Sequence, residues 1–249
     1  MTRFSELFLK PKPIIGMLHL AGGSNAIWRA EEEVKIFEDE GLDGAIVENY
    51  HGSIVDLIGA ADRLGWKRPN LVLGMNILPN EFQLALPIAS WTNEKFVQLD
   101  YIAGTYSTID GTSELPVEEY QKIRAICHDV LVFGGVHPKY YMPLSDFKQD
   151  LITAMSRADA IVITGKGTGE ETPLKKLKAA RQVLGKFPMI VGAGLNPSNA
   201  YEQLSIADGA IVGSALKVGN RTDELVDRQK VRALMKVVEK VRNEVRLPE

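Results

Sequence analysis

The sequence predicts a single (β/α)8 barrel over residues 1–249, and three observations favour this fold. Short apolar runs rich in Val, Ile, Leu and Gly occur eight times, and a longer segment with helical spacing follows each of them. Runs that are apolar throughout are typical of parallel strands buried on both faces. Eight such units also fit a chain of 249 residues. A doubly wound open sheet is the alternative, because periodicity alone does not show whether a sheet closes.

The eight predicted strands follow one another without a linker or a change of composition that would divide the chain. They cover residues 13–20, 44–48, 70–77, 96–103, 129–136, 159–164, 188–193 and 208–212.

The segments between the strands have the chemistry of helices. In the first of them, the glutamates at 31–33 lie opposite the apolar stripe or in the first turn. Thr172 followed by Pro173 is typical of a helix start, with Thr as the N-cap. The last helix is expected over residues 223–246, where apolar residues recur at steps of three and four.

Composition and charge exclude several classes of protein. The chain has 29 basic and 32 acidic residues, so it lacks the positive field of a nucleic-acid-binding protein. The longest stretch without Lys, Arg, Asp or Glu, residues 13–28, is too short for a transmembrane segment. One cysteine and no secretory signal indicate a cytoplasmic protein. A homo-oligomer is expected, with the apolar residues near 82–91 belonging either to its interface or to the core.

Glycine-rich loops after the last two strands predict a phosphate site. In such barrels phosphate commonly binds these two loops, where glycine lets backbone N–H groups approach an anion. Ser214 adds a hydroxyl at the start of a short helix. The alternative is that the glycines only make tight turns. The predicted phosphate-binding residues of these loops are Gly192, Gly194, Gly213 and Ser214.

Polar residues at the ends of the other strands are candidates for chemistry. Convergent carboxylate, imidazole and amine groups are what acid–base or Schiff-base reactions at a carbonyl require. Asp159 and Asp208 are left out because they precede their strands and belong to the opposite face. The predicted catalytic residues are His19, Glu48, Asp100 and Lys166, and the predicted substrate-binding residues are Asn49, Asn76, His137 and Lys139.

Each of the main candidates has a structural alternative. His19 could be a core histidine, whereas a carboxylate such as Glu48 at a buried strand end needs a partner or a ligand. Lys166 could be a solvated cation, a phosphate clamp or a desolvated amine that attacks a carbonyl. No spacing signature of a metal site is present, so neither a metal nor a cofactor is expected. Residues 104–115, rich in Gly, Ser and Thr, are typical of a mobile lid or a spacer over the mouth.

Four motifs resemble the BtpA/SgcQ family of (β/α)8-barrel proteins. They are KPIIGMLHL at 12–20, EGLDGAIVEN at 40–49, TGKGTG at 164–169 and ADGAIVGS at 207–214. The resemblance covers nearly the whole chain and implies a barrel like those that bind ribulose phosphates. Some members of that family are associated with photosystem I biogenesis, and others resemble enzymes of sugar metabolism.

This chain departs from the family pattern at several strand ends, which indicates a divergent subgroup with a different substrate. Pro79 stands where the family has Arg, Gln98 and Asp100 where it has Arg and Asn, and Tyr140 where it has a second His. The leading hypothesis is aldolase- or isomerase-type chemistry on a small phosphorylated metabolite. The alternatives are a non-catalytic assembly factor, and cleavage or transfer at a glycosidic bond with Glu48 and Asp100 as the carboxylate pair.

Overall fold

The computed structural model describes residues 2–67, 70–109 and 111–246. The eight strands of its barrel are β1 (Ile14–Ala21), β2 (Gly44–His51), β3 (Val72–Asn76), β4 (Phe96–Leu99), β5 (Leu131–Gly135), β6 (Ala160–Ile163), β7 (Met189–Val191) and β8 (Gly209–Val212). The eight outer helices are α1 (Ala26–Asp39), α2 (Ile54–Lys67), α3 (Phe82–Thr92), α4 (Val117–Ile126), α5 (Phe147–Met155), α6 (Leu174–Leu184), α7 (Ala200–Ile206) and α8 (Arg228–Arg246).

The sheet is a closed parallel barrel. Each strand pairs with the next one along the chain, and β8 pairs with β1 through Ile14 opposite Ala210 and Ile15 opposite Ile211. The predicted (β/α)8 fold is therefore confirmed, and the open-sheet alternative is wrong. Because all strands run the same way, their C-terminal ends meet at one mouth of the barrel.

The opposite opening of the barrel is filled with aromatic side chains. Phe96 on β4 and Phe133 on β5 stack with ring centroids 4.3 Å apart in the barrel interior. A short N-terminal helix, Arg3–Leu7, brings Phe4 and Phe8 against them. This aromatic plug fills the N-terminal end of the barrel interior.

Three aspartates fasten the N-terminal side of the barrel in the same way. Each precedes a strand, accepts a hydrogen bond from a backbone N–H near the start of the preceding strand, and pairs with an arginine of an outer helix. The sets are Asp43 with Ile14 and Arg242, Asp159 with Val132 and Arg124, and Asp208 with Met189 and Arg181. Asp159 and Asp208, which were left out of the candidate site, therefore have a structural role: they connect strands of the barrel to outer helices.

Several local predictions need correction. The helix α6 begins at Leu174 with Pro173 as its N-cap, and the hydroxyl of Thr172 instead donates to the carbonyl of Ala193, 3.0 Å away. Glu33 is buried rather than solvated, and its charge is compensated by an ion pair with the fully buried Lys217. The strand β4 ends at Leu99, four residues before its expected end at 103. The helix α8 begins at Arg228, five residues after its expected start at 223.

The segment expected to be a mobile lid or a spacer over the mouth forms strands of its own. Tyr106–Thr108 pairs with Gly111–Ser113 as a hairpin, and Met142–Pro143 pairs with the first of these strands. Asp110 lies outside the described residues. The hairpin ties the loop after β4 to the loop after β5. Among the described helices, none is both long and apolar enough to cross a bilayer.

The apolar face expected near 82–91 is divided between the core and the surface. Phe82 and Leu86 lie on the buried face of α3, whereas Leu84 and Trp91 lie on its exposed face. The homo-oligomer and the cytoplasmic location stay predictions.

A buried carboxyl on the N-terminal side gives a prediction for stability. Glu94 is 2% exposed, its Oε2 is hydrogen-bonded to the hydroxyl of Thr92, and burial raises its pKa to about 7. A pKa above the unfolded value means that the stability this group contributes is complete below about pH 4.5 and is lost as pH rises through 7. We expect Glu94→Gln to raise the free energy of unfolding by about 2–4 kcal/mol more at pH 8 than at pH 4.5, measured by urea denaturation. The exposed Glu118→Gln is the control, and an equal change at both pH values would contradict the prediction.

Candidate active site

A cavity of about 360 Å³ opens at the C-terminal mouth of the barrel. It brings together side chains and loops from both halves of the barrel, as expected for parallel strands that end at one rim. The sequence-predicted residues that line it are His19, Glu48, Asp100, Lys139, Gly192, Gly194, Gly213 and Ser214.

Glu48 is the central acid of the cavity. It lies near the end of β2, in register with His19 on β1 and Asn76 on β3, and it is 5% exposed. The side-chain amide of Asn76 donates to Glu48 Oε1 over 2.8 Å. Burial, with a further contribution from the charge of Asp100, raises the pKa of Glu48 to about 7 against the opposing effect of Lys139. The carboxyl can therefore gain and lose a proton near neutral pH.

His19 lies beside Glu48 as a neutral imidazole. Its Nε2 is 3.6 Å from Glu48 Oε2. Burial and then the charges of Lys217 and Lys139 lower the pKa of His19 well below its usual value, so this contact is not an ion pair. The ring fits against the β8 loop because Gly213 has no side chain: a Cβ there would lie 2.5 Å from His19 Cε1.

A second carboxyl lies on the same wall of the cavity. Tyr141 donates its hydroxyl proton to Asp100 Oδ2 over 3.0 Å, and burial raises the pKa of Asp100 above its usual value. Gln98, two residues earlier, also lines the cavity. This side of the mouth, formed by the ends of β2, β3 and β4, therefore carries two carboxyls and the side-chain amides of Asn76 and Gln98.

Lys139 is the amine that the fold brings into the cavity. Its backbone N–H donates to Thr164 Oγ1 over 2.8 Å, and its Nζ donates to Thr168 Oγ1 over 2.9 Å. These two threonines belong to the end of β6 and the loop after it, so the neighbouring unit holds the lysine. The ammonium group acts on Glu48 and Asp100 by lowering the pKa of each.

In the glycine loops after β7 and β8, some backbone N–H groups are hydrogen-bonded within the protein and others are not. The N–H of Gly192 donates to the Ile163 carbonyl over 2.8 Å, and its lack of a side chain leaves room for Val162. Among the described residues, no hydrogen bond uses the N–H of Gly194 or Ser214. Gly194 also has a φ of 70°, which favours glycine. Gly194 and Ser214 both line the cavity, where an anion could accept from these N–H groups.

Four predicted site residues do not line this cavity. Lys166 is exposed and lies with His137 along a separate, shallower depression. His137 Nε2 is 2.8 Å from Asp150 Oδ2, which holds the ring away from the mouth. Asn49 Oδ1 accepts from the backbone N–H of Leu78, and Asn76 lies behind Glu48. The predicted grouping of Lys166 with Glu48 is thus replaced by a grouping of Lys139 with Glu48.

Three tyrosines and two threonines also line the cavity and are not among the predicted site residues: Tyr50, Tyr140, Tyr141, Thr164 and Thr168. The Tyr50 hydroxyl lies 3.3 Å from Thr168 Oγ1, and Tyr140 accepts from the Thr168 N–H over 2.9 Å. Tyr50 lay beyond the predicted end of its strand, which continues to His51. Its alternation with Glu48 is the signal that could have found it, because residues two apart point to the same face.

No cluster of three or more His, Cys, Asp or Glu side chains with the arrangement of a metal site occurs in the described parts of the chain.

Comparisons with known proteins agree with this architecture. A solved structure described as "Native KDPGal structure" has a TM-score of 0.66 and 18% identity, with 94% of this chain and 97% of that chain covered. Phosphoribosyl anthranilate isomerase from Thermus thermophilus has a TM-score of 0.65 and 17% identity, with 92% and 99% covered. At these identities the likeness shows the barrel fold alone.

Relatives in sequence cover almost the full chain. An uncharacterized protein of Pyrococcus furiosus is 29% identical, with 93% of this chain and 97% of the relative aligned. The Photosystem I biogenesis protein BtpA of Synechocystis is also 29% identical, with 94% and 90% aligned. A model of the BtpA family matches residues 67–240. With the barrel and its mouth described, this match confirms the resemblance found in the sequence motifs: the chain belongs to the BtpA family.

Proposed function

We propose that this protein is an enzyme that moves a proton on a phosphorylated sugar or a related phosphorylated metabolite, in an isomerase- or aldolase-type reaction. The observation that carries the proposal is the buried carboxyl of Glu48, whose pKa of about 7 suits proton transfer, in a cavity with free backbone donors at its other side. Phosphoribosyl anthranilate isomerase, a structural neighbour, has a phosphoribosyl compound in its name.

The phosphate would bind at the loops after β7 and β8. Within the described part of the chain, the N–H groups of Gly194 and Ser214 make no hydrogen bond, and Ser214 begins a 3₁₀ turn, Ser214–Leu216. Backbone donors in this arrangement suit the oxygens of a phosphate group. Gly192 and Gly213 would contribute by keeping side chains out of the loops.

The carbonyl end of the substrate would then lie near Glu48 and Lys139. Glu48 would take a proton from the carbon next to the carbonyl and return it elsewhere, and the Lys139 ammonium would stabilise the negative charge of the enolate. His19, neutral and in contact with Glu48, can donate or accept one hydrogen bond without changing the charge of the site. Asp100, hydrogen-bonded to Tyr141, would orient the substrate.

Borohydride reduction in the presence of phosphorylated sugars tests the role of the lysines. A Schiff base would be trapped as a covalent adduct, which intact mass and peptide mapping locate. Because Lys139 lies in the cavity and Lys166 is exposed outside it, we expect any adduct on Lys139. We expect Lys139→Met to abolish trapping and Lys166→Met to leave it in place.

The same experiment separates the two uses of the lysine. If no adduct forms but the sugars raise the melting temperature, Lys139 acts as an electrostatic group and the enolate mechanism stands without a Schiff base. An adduct on Lys166 would contradict the assignment of Lys139. If the sugars neither react nor stabilise the protein, the phosphosugar proposal is wrong.

A non-catalytic assembly factor is the second candidate, because one relative is named as a photosystem I biogenesis protein. A factor of this kind would keep the barrel and could retain the ligand cavity without turnover. Substitution of Glu48 separates the two, since an assembly role does not need a titrating carboxyl in the barrel mouth.

A further inference from the structure

Lys139 acts on two carboxyls of the cavity without pairing directly with either of them. Its charge reaches Glu48 and Asp100, because it lowers the pKa of both. Among the described residues, however, neither carboxyl has an oxygen within 4.0 Å of the Lys139 amine, and the close charged neighbour of Glu48 is His19. An ammonium group on a flexible stem is attracted into contact with a buried carboxylate. A contact on the other side of the amine therefore holds it back.

The contact on the other side of the amine is the hydroxyl of Thr168. It accepts a hydrogen bond from Lys139 Nζ over 2.9 Å. Since a lysine ammonium only donates, this bond leaves the hydroxyl proton of Thr168 for the oxygen of Tyr50, 3.3 Å away. Tyr50 lies on β2 and Thr168 follows β6, and these two strands are opposite each other in the ring of eight. Thr168 thus connects the two sides of the mouth beside the amine.

The loops that carry the lysine and the threonine are held in fixed positions. The backbone N–H of Thr168 donates to the Tyr140 hydroxyl over 2.9 Å, and the backbone N–H of Lys139 donates to Thr164 Oγ1 over 2.8 Å. His137 and Tyr140, on either side of the lysine, have φ values of 48° and 69° although neither is glycine. Left-handed backbone at such residues is unfavourable by itself and persists where surrounding contacts impose it. The fold therefore places this amine against its attraction to the carboxyls.

We propose that Thr168 is a positioning residue, which keeps the Lys139 ammonium apart from Glu48 and Asp100 so that a carbonyl oxygen of the substrate fits between the amine and the carboxyls. The substrate oxygen accepts from the ammonium, and Glu48 stays without a counter-charge in contact, ready to exchange a proton. Without the threonine hydroxyl the amine pairs directly with a carboxyl, and the space for the substrate oxygen is lost. This inference rests on the proposed function, because it assigns one more residue to the same reaction.

NMR titration of the carboxyl carbons of Glu48 and Asp100 tests the inference without any substrate. We expect Thr168→Val to lower the pKa of one of these carboxyls by at least about 1, because an ammonium in contact favours the ionised form. The smaller Thr168→Ala should give the same result. Thr168→Ser, which keeps the hydroxyl, should leave both pKa values as they are in the unmodified protein. The titratable groups that face Glu48 are His19 on β1, Tyr50 on β2, Asp100 after β4 and Lys139 after β5.

Two further variants show whether Thr168 acts through the amine. In a protein that already carries Lys139→Met, the change Thr168→Val should alter neither pKa, because no ammonium is left to move. Thr153→Val is the control for the loss of a threonine hydroxyl. The Thr153 hydroxyl donates to the Gln149 carbonyl on α5 over 3.0 Å and does not line the cavity, so its removal should leave both carboxyls unchanged.

Turnover of a phosphorylated sugar gives a second readout, measured as exchange of the proton next to the carbonyl with D2O. We expect Thr168→Val to lower kcat at least about tenfold, because the ammonium no longer reaches the substrate oxygen. KM should change by less than about threefold, because the phosphate binds at the loops after β7 and β8. Thr168→Ser should restore most of the lost kcat.

The outcomes separate this inference from the proposed function. If neither carboxyl has a lower pKa in Thr168→Val, or if the pKa also falls in the Lys139→Met background, the positioning role is wrong whether or not the protein turns over a sugar. If turnover occurs and Thr168→Val keeps the unmodified kcat, the role is also wrong. If the pKa falls as expected but the unmodified protein acts on no phosphorylated sugar, the placement of the amine is confirmed and the proposed function is wrong.

Discussion

Replacement of Glu48 by glutamine is expected to lower the turnover of a phosphorylated sugar by about 10²–10⁴-fold, the usual contribution of a positioned acid or base. Glutamine has nearly the same shape and can still accept from the Asn76 amide, so the cavity is preserved. Loss of activity would then follow from the missing proton exchange. The measurement is the exchange of the carbon-bound proton next to the carbonyl with D2O, followed by NMR.

The pH dependence of the same reaction follows from the pKa of Glu48. As a base, Glu48 acts only when ionised, and burial raises its pKa to about 7. We expect the rate to rise with pH up to about 7 and to level off above it. A rate that stays constant between pH 5 and pH 8 would exclude Glu48 as the base.

Glu94→Gln is the matched control for this substitution. Both glutamates are buried, at 5% and 2% exposure, and burial raises the pKa of both to about 7. Only Glu48 lies in the cavity, since Glu94 precedes β4 on the N-terminal side. The control should keep full activity. If Glu48→Gln also keeps full turnover, Glu48 is not the base. If it retains an assembly function in vivo without any turnover, the non-catalytic candidate is favoured.

Arg242→Met is expected to lower the free energy of unfolding by about 3–5 kcal/mol, because it leaves a buried carboxylate without its partner. Arg242 is fully buried on α8, where it pairs with Asp43 and donates to the carbonyls of Pro11 and Lys12. It thereby links the last helix to the segment before β1 and to the start of β2. Urea denaturation of the purified protein measures the change.

Arg232→Met on the same helix is the control for this effect. Arg232 is 66% exposed and pairs with Glu40, so its loss should change the free energy of unfolding far less than the loss of Arg242 does. Adding Asp43→Asn to Arg242→Met should recover part of the stability, because the unpaired charge is removed. Equal losses for the two arginine variants would show that Arg242 contributes no more than a surface pair.

The fold was predictable from the sequence because its signal is local and repeated. Each strand of the barrel is buried on both faces, so its residues are apolar throughout, and eight such runs occur in the right order. The same reasoning singled out Glu48, since a carboxylate at the end of a buried strand needs a hydrogen-bond partner, a counter-charge or a ligand. It also placed Asp159 and Asp208 correctly, because the direction of a parallel strand decides which end faces the mouth.

The composition of the site depended on the tertiary structure. Lys139 and Lys166 both follow strands and are equivalent in sequence pattern, but only the hydrogen bonds from Lys139 to Thr164 and Thr168 show which amine enters the cavity. His137 also follows a strand, but its Nε2 lies 2.8 Å from Asp150 Oδ2 and the residue does not line the cavity.

The buried ion pair of Glu33 and Lys217 shows most clearly which features depend on the tertiary structure. Glu33 reads as a surface glutamate of an amphipathic helix, and its partner Lys217 is 184 positions away in sequence. Burial and partnership over such separations arise only when the barrel closes and α1 packs beside the loop after β8. The sequence by itself determined the barrel and the strand ends that meet at its mouth, since strand burial and direction are properties of each unit. The tertiary structure decided which polar side chains turn inward, because that depends on contacts between loops that no single unit contains.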